Sequence, residues 1–323
     1  MIGIVERPRL GSAASDLSIL LVAVIWGSSY VVMQIVGRDV PAAAFLMLRF
    51  LCALPPMAIL AARTLPRLTR TEVVTGLLFG CLLYGILILE TVGVRHTSAA
   101  NAGFLITLSV VMVPALERVS SKRRQSSVVY LMTVTAVIGC GMLLLSRGAH
   151  PQSGDLIILG AAVVRAAQIT LFGRRPGGAT QSLINLSLIE FVVVAALAGV
   201  TAVAAGTPVW HVVATVSARD WLLIAHLGVL GTSFAWLAQL RAARAASSTR
   251  VGLVLSTEPV FATFFAIFIA GNTLGILQIL GGMLIVICAA VGRSFEGQKD
   301  VQRQERAPAR QLEPARPDTG RSM

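Results

Sequence analysis

Four charged side chains stand deep inside long apolar stretches of this sequence, at Arg49, Arg165, Glu190 and Glu258. An ionised group at the centre of a bilayer costs about 2.5 to 3.5 kcal/mol on insertion scales, so such residues need a partner or a function. An arginine facing a water-filled cavity could bind an anionic group, and a glutamate there could exchange a proton. A fifth charge, Glu90, stands about one turn from the end of its apolar stretch.

Two interpretations of these charges stay open. In the first, Arg49 and Arg165 are neutralised by Glu190 and Glu258, as permanent ion pairs that hold a helix bundle together. In the second, at least one arginine binds an anionic substrate group and one glutamate exchanges a proton, with Glu190 preferred over Glu258. Arg49 and Glu190 each lie about eight residues into their stretches, roughly 12 Å deep from opposite faces. We therefore predict that these two residues act together at the membrane midplane.

Aromatic and amide side chains in the same stretches are candidates for a cavity wall, where they could orient a substrate. An isolated membrane tryptophan also serves as packing or as an interfacial anchor, so both roles stay open. These candidates are Trp26, Tyr84, Trp236 and Gln239.

Two prolines are candidate helix breaks. Pro114 and Pro259 each remove an intrahelical hydrogen bond, which leaves the carbonyls of Val110 and Leu255 free. Such carbonyls could line a pathway, although a kink that improves packing is an equal alternative.

The elements that carry these residues are apolar helices. The 323-residue chain is 55% hydrophobic and 13% charged, with a mean hydropathy of +0.79. An α-helix needs about 20 apolar residues to cross a hydrocarbon layer about 30 Å thick. Ten such runs predict an all-α integral membrane protein of about ten transmembrane helices, at 17–36, 42–61, 73–94, 98–118, 127–146, 155–173, 182–203, 221–240, 249–270 and 273–292.

Basic residues cluster at alternate connections between these segments. One set of loops, together with the two ends of the chain, holds 21 lysines and arginines, and the other set holds Arg38, Arg95, Arg147 and Arg219. The positive-inside rule then places both termini in the cytoplasm of a multi-pass protein of the bacterial inner membrane. The net charge of +12 therefore indicates loop anchors at membrane lipids, and we expect no nucleic-acid partner.

The two halves of the chain carry an internal repeat. The segment from Arg95 to Gly103, which leads to Pro114, is similar to the segment from Arg244 to Gly252, which leads to Pro259. Five helices per half is an odd number, so the second half must be inverted relative to the first. The predicted division is a cytoplasmic segment at 1–16, five-helix repeats at 17–146 and 147–293, and a disordered cytoplasmic tail at 294–323.

Motifs distributed along the chain resemble the EamA-like branch of the drug/metabolite transporter superfamily. They include Trp26-Gly-Ser-Ser-Tyr30, Arg49-Phe50, Gly154-Asp155 and Ser256-Thr-Glu-Pro-Val-Phe261. The resemblance implies a ten-helix fold and a secondary transporter of small organic metabolites or drugs, expected to be an exporter, with proton coupling as an option. Asn272 stands where that family usually has glutamate.

The rival class is an integral-membrane enzyme that acts on a lipid-soluble substrate. The sequence has no HExxH, no Gly-x-Ser-x-Gly and no P-loop, and its connections are too short for a catalytic domain. The four cysteines are scattered among the predicted helices, so neither a metal knuckle nor a disulfide framework is indicated. We therefore predict no catalytic residues, no metal and no cofactor. A homodimer is left open.

Overall fold

The structure, a computed structural model, describes residues 10–121, 127–145, 152–172, 182–245, 251 and 254–291. The predicted tail at 294–323 lies outside these residues. So do residues 1–9 and the connections at 122–126, 146–151, 173–181 and 246–250, which include the predicted loop positions Arg123, Arg147, Arg174 and Arg250.

Within the described residues the main helices are numbered α1 to α11, and two short 3-10 helices, Leu65–Arg67 and Val94–His96, lie between them. The long helices of the first half are α1 (Leu10–Val36), α2 (Ala42–Ala61), α3 (Arg70–Gly93), α4 (Ala99–Ser121) and α5 (Ser127–Leu145). They are followed by α6 (Ser153–Phe172), α7 (Leu183–Ala204) and the short α8 (Val209–Thr215). Helix α9 has three parts, Ala218–Ala225, the π-helical His226–Phe234 and Ala235–Ala245, and is followed by α10 (Glu258–Phe268) and α11 (Ile276–Val291).

The helices fall on the predicted segments. Six of them are long and apolar enough to cross a membrane, at Leu17–Val36, Ala42–Ala61, Arg70–His96, Ser153–Phe172, Leu183–Ala204 and Ala218–Gln239. Four shorter apolar helices, at Ala99–Val113, Val134–Leu143, Glu258–Phe268 and Ile276–Val291, occupy the other predicted positions. The all-helical membrane class is thus confirmed, whereas a full crossing by each of the ten stays a prediction.

Large apolar side chains point outward as well as inward. Ile59 is 76% exposed, Leu131 is 68% exposed and Ile276 is 68% exposed. A soluble protein rarely exposes such an extended apolar surface. This surface is suited to contact with lipid tails.

The two predicted helix breaks turn out differently. Helix α4 continues through Pro114, so no break occurs there. The ninth predicted segment, 249–270, is interrupted by a turn at residues 256 and 257, and α10 begins at Glu258 with Pro259 in its first turn. Proline is well tolerated at that position because the first amide groups of a helix have no intrahelical partner. Pro259 therefore starts a helix and does not kink one.

The cross-half packing follows a regular pattern. Helix α2 packs on α7, and α4 packs on α10. The other close pairs match two by two. The α3–α7 pair matches α2–α9, the α4–α6 pair matches α1–α10, and the α3–α6 pair matches α1–α9. If α1, α2, α3 and α4 are exchanged in that order with α6, α7, α9 and α10, the same set of helix pairs results.

Two glycines let helices approach at the buried charges. A Cβ atom on Gly80 of α3 would lie 2.7 Å from Val193 Cβ and 3.1 Å from Glu190 Cα on α7. A Cβ atom on Gly228 of α9 would lie only 2.5 Å from the carbonyl oxygen of Arg49 on α2. Close backbone contact through small residues is the usual way for membrane helices to associate.

We predict that Gly228→Ala destabilises the protein by about 1 to 3 kcal/mol, because the added methyl group must push α9 away from the α2 backbone. The matched control is Gly141→Ala in α5, where an added Cβ meets no atom within 4 Å. Thermal unfolding of both variants in the same detergent checks this. Equal melting temperatures for the two variants would show that the α2–α9 contact can relax without cost.

Candidate functional site

An ion pair joins the two halves inside the bundle. Arg165 of α6 donates from Nη2 to Oε1 of Glu90 on α3, at 2.8 Å. The Glu90 side chain is 6% exposed and that of Arg165 is 26% exposed. The sequence interpretation gave Arg165 a partner in Glu190 or Glu258, and the structure pairs it with Glu90. The reason is the packing of α3 directly on α6.

A second contact between the halves connects α1 and α10. The Tyr30 hydroxyl donates to Oε1 of Glu258 at 2.8 Å, and Tyr30 is 2% exposed. Glu258 is in the first turn of α10, where the unpaired amide groups of the helix favour a negative charge. Pro259, the next residue, fixes this helix start.

Arg49 is the most enclosed of the arginines predicted for the site. Arg49 is 7% exposed, and its Nε donates to Oγ1 of Thr232 at 3.1 Å. The Thr232 hydroxyl in turn donates to the carbonyl of Leu227, at 2.9 Å. The hydroxyl is thereby oriented so that its lone pair points to the guanidinium. Among the described residues, Arg49 forms no ion pair with a carboxylate.

These contacts belong to one electrostatic cluster. Tyr30 interacts with Glu258, Glu90 and Arg165, and Arg49 interacts with Glu90, Arg165 and Tyr30. We call Tyr30, Arg49, Glu90, Arg165 and Glu258 the central charge cluster. It draws on α1, α2 and α3 from the first half and on α6 and α10 from the second. Its two arginines and two glutamates balance when both carboxyl groups are ionised.

The π-helical part of α9 forms one wall beside this cluster. Trp26 Nε1 donates to the carbonyl of Gly231 at 2.8 Å, and Ser233 Oγ donates to the carbonyl of Ala53 at 2.7 Å. His226 Nε2 lies 3.4 Å from Ser28 Oγ. A π-helical segment widens the helix and is frequent at functional sites. Sequence analysis did not predict it; Gly228 and Gly231, followed by Thr232 and Ser233, are the only local signal.

The other predicted residues lie in different settings. Tyr84 on α3 forms a hydrogen bond of 2.5 Å with Thr201 on α7, and Gln239 binds the carbonyl of Ala235 in its own helix at 3.3 Å. Trp236 is partly buried against the main core. Neither Tyr84 nor Gln239 is hydrogen-bonded to the central charge cluster in the described structure, so cavity-wall roles for all three stay predictions.

Glu190 is buried in α7, with 4% exposure, at the contact with Gly80 of α3. Arg49 itself donates to Thr232 and interacts electrostatically with Glu90. The predicted joint action of Arg49 and Glu190 therefore stays a prediction, and the contacts seen here favour Glu90 and Glu258 as the carboxylates near the arginines.

A polar network joins the halves at the C-terminal end of α3. Asp155 of α6, which is 2% exposed, accepts hydrogen bonds from the hydroxyl of Thr97 and from Asn101 Nδ2. Asn101 Oδ1 accepts from Gln278 Nε2 of α11, at 2.9 Å. We call these four residues the outer-end network, because the charge pattern assigns this end to the outside.

A comparable network lies at the opposite end of α3. Glu72, which is 3% exposed, accepts from the backbone amides of Thr69 and Ser182 at 2.9 and 2.6 Å. Asn185 of α7 donates to Glu72 at 3.4 Å and accepts from Thr64 at 2.6 Å. Thr69 and Glu72 also form the capping box that starts α3. We call Thr64, Glu72, Ser182 and Asn185 the inner-end network.

Comparisons with known proteins agree with the sequence pattern. An uncharacterized transporter from Archaeoglobus fulgidus is 26% identical over 283 residues, which cover 86% of this chain and 85% of the relative. The crystal structure of another protein superposes with a TM-score of 0.56 and 16% identity over 88% of this chain and 99% of that one. This likeness concerns the fold alone. The model of the EamA-like transporter family matches twice, over residues 13–145 and 152–291. The chain is a multi-pass membrane protein and belongs to the EamA-like transporter family, within the drug/metabolite transporters.

Proposed function

We propose that this membrane transporter exports a small organic anion by alternating access, and that Arg49 receives the anionic group. The observation that carries the proposal is the setting of Arg49. Its guanidinium is enclosed in the bundle, is held by one neutral hydroxyl, and has no carboxylate in an ion pair with it among the described residues.

Arg49 is better suited to this role than Arg165. The charge of Arg165 is compensated by Glu90 at 2.8 Å, so a second anion there would have to displace a carboxylate. Arg49 uses only Nε for Thr232, which keeps the two terminal nitrogens for a ligand. The guanidinium fork matches a carboxylate with two parallel hydrogen bonds. Thr232 would then act as a positioning residue for that fork.

Glu258 is the carboxylate that we propose for proton exchange, with Glu190 as the alternative. Glu258 lies in the central charge cluster, and Tyr30 donates to it from the other half of the chain. Protonation of Glu258 would leave a net positive charge in the cluster, which an incoming anion would balance. A movement between α1 and α10 would break the Tyr30 contact, so proton exchange and conformational change would be linked.

The two end networks support alternating access. Each crosses between the halves, one at either end of α3, and the central charge cluster lies between them. The matching helix pairs and the two family matches support inverted repeats at 17–146 and 147–293. In this proposal the networks open in turn as the halves rock around the cluster.

The same proposal includes an inner-membrane location with both termini in the cytoplasm, supported by the 21-to-4 distribution of basic residues. The homodimer that the sequence analysis left open is neither needed nor opposed by these contacts.

We predict that Arg38→Cys reacts with an impermeant thiol reagent in intact cells, whereas Arg67→Cys reacts only after the membrane is opened. Both side chains are exposed at connections that the charge pattern assigns to opposite sides. Cys52, Cys81, Cys140 and Cys288 are first replaced by alanine. Labelling of Arg67→Cys in intact cells would contradict the orientation.

A second prediction concerns the ligand of Arg49. Carboxylates that raise the melting temperature of the purified protein should lose this effect in Arg49→Gln, because a charge-assisted hydrogen bond contributes about 1.5 to 3 kcal/mol, roughly tenfold or more in affinity. Their methyl esters should not stabilise either protein. Thr232→Val should weaken the binding of the same carboxylates less than Arg49→Gln does. Arg67→Gln is the control and should leave their binding unchanged.

Transport is then measured in proteoliposomes with the carboxylates that bind. Export in the wild type and its loss in Arg49→Gln supports the proposal. Carboxylates that stabilise Arg49→Gln as strongly as the wild type would contradict it. Chemical turnover of a ligand without translocation would favour the membrane enzyme instead.

A further prediction follows from the ion pair between Arg165 and Glu90. Arg165→Met should destabilise the protein by about 3 to 5 kcal/mol, because it leaves the buried Glu90 charge without its partner. Glu90→Leu should destabilise it less, because Arg165 is partly exposed. The double variant should recover most of this loss. Thermal unfolding of the double-mutant cycle measures the coupling energy, and simple additivity of the two single effects would show that the pair contributes no interaction.

A further inference from the structure

A polar cleft lies at the predicted outer end of the bundle, above the outer-end network. Its volume is about 430 Å³, and both halves of the chain line it. The first half contributes Gln34, Arg95, His96 and Thr97, and the second half contributes Gln152 and Asn272. We call it the outer-end cleft.

The lining of the outer-end cleft is suited to an anion. It contains an arginine, a histidine and several hydroxyl and amide side chains, and none of the described residues that line it is acidic. A second cleft at the same end differs in this respect. That cleft, about 380 Å³ in volume, has Arg38 and Arg219 together with Asp39 and Asp220. The second cleft therefore offers a balanced set of charges and serves as an internal comparison.

Arg95 is the source of positive charge in the outer-end cleft. Its Nη2 donates to the carbonyl of Val40 at 2.6 Å, and its Nε is buried without a hydrogen-bond partner in the described structure. No carboxylate forms an ion pair with Arg95 in those residues. Partial burial of a guanidinium without a countercharge costs free energy, so the retention of Arg95 calls for an explanation.

The position of Arg95 in the chain adds a second argument. The loops assigned to the outside carry only four of the lysines and arginines, and Arg95 is one of them. The positive-inside rule disfavours arginine there, so a cation in the wall of a polar cleft at that end is better explained by a ligand than by anchoring.

The cleft also connects to the outer-end network. Thr97 lines the cleft and its hydroxyl donates to Asp155, and the backbone N–H of Gln152 donates to the same carboxyl group. Gln34, also in the lining, donates to the carbonyls of Val94 and Thr97 at 3.0 and 2.8 Å. A ligand in the cleft would therefore contact the groups that hold the two halves together at this end.

We infer that the outer-end cleft is a second anion subsite, in which Arg95 holds the carboxylate of the transported molecule as it passes the outer-end network. The inference rests on the proposed function in taking the cleft to be on the transport path. The local claim is independent of transport: the cleft concentrates anions because of Arg95.

The test uses protein without native cysteines, carrying Asn272→Cys in the cleft, in nanodiscs that expose both faces. The rates of reaction with an anionic and a cationic methanethiosulfonate reagent of similar size are compared. We expect the anionic reagent to be favoured, and Arg95→Gln to lower the ratio of the two rates by roughly threefold to tenfold, because a local cation raises the concentration of anions. Arg67→Cys, which is exposed at the opposite end of α3 from Arg95, is the control, whose ratio Arg95→Gln should leave unchanged.

Two further measurements keep the result decisive. Benzoate, but not the neutral benzamide, should slow alkylation of Asn272→Cys by N-ethylmaleimide when Arg95 is present. If Arg95→Gln fails to fold, the ratio with Arg95 intact should fall toward that of the uncharged thiol 2-mercaptoethanol when ionic strength is raised from about 0.01 M to about 1 M, since salt screens the charge. Equal protection by benzamide would overturn the subsite, and so would a rate ratio that a folded Arg95→Gln leaves unchanged. If that variant does not fold, a ratio that does not change with salt would overturn it. Neither outcome would bear on ligand binding at Arg49, which is tested separately.

Discussion

The arrangement of this bundle depends on one constraint, which is that charged groups inside an apolar helix bundle must find partners on other helices. Four of the five charges that the sequence places in apolar segments have polar contacts that cross between the halves, and the fifth, Glu190, is buried where α7 contacts α3. Arg165 pairs with Glu90, Tyr30 donates to Glu258, and Arg49 donates to Thr232. The helix pairs that make these contacts also pack directly against each other, so the polar contacts and the apolar packing specify the same arrangement.

The geometry around Arg49 shows how local backbone structure prepares such a site. Gly228 allows the π-helical part of α9 to approach the backbone of α2, and Thr232 in the same segment receives the Arg49 Nε. Trp26 binds the Gly231 carbonyl in this segment, so that an irregular part of the helix still has polar partners. A regular α-helix would place Thr232 at a different angle to α2. The position of the Thr232 hydroxyl relative to Arg49 therefore depends on the π-helical backbone of α9.

The sequence was sufficient for the class of fold and the positions of the helices, because apolar runs of membrane-spanning length are a strong signal. It also identified the buried charges, since any charge in such a run is conspicuous. It did not identify the partner of Arg165, which is Glu90. The joint action of Arg49 and Glu190 stays a prediction, because depth along a helix specifies neither the rotation of the helix nor which helices touch. Glu90 was placed too near a helix end to be considered for Arg165.

Irregular backbone was the other feature that the sequence did not reveal. Pro114 and Pro259 gave the same signal in the sequence, yet α4 continues through the first and α10 begins at the second. The difference depends on whether the preceding residues are in a turn. The π-helical segment has no composition of its own, and the two end networks are made of common residues such as Thr97 and Asn185, whose meaning depends on tertiary contacts.

The central claim is that the charge cluster between the halves lies on an aqueous path that opens to either side. Its most direct test is the accessibility of Thr232→Cys, in protein without the native cysteines, to an impermeant thiol reagent in right-side-out and in inside-out vesicles. The account predicts labelling from both sides, with protection in both cases by a carboxylate that binds the protein. Absence of labelling from both sides, with the outer position Arg38→Cys fully reactive in right-side-out vesicles, would show that the cluster is a closed structural core and would contradict the account.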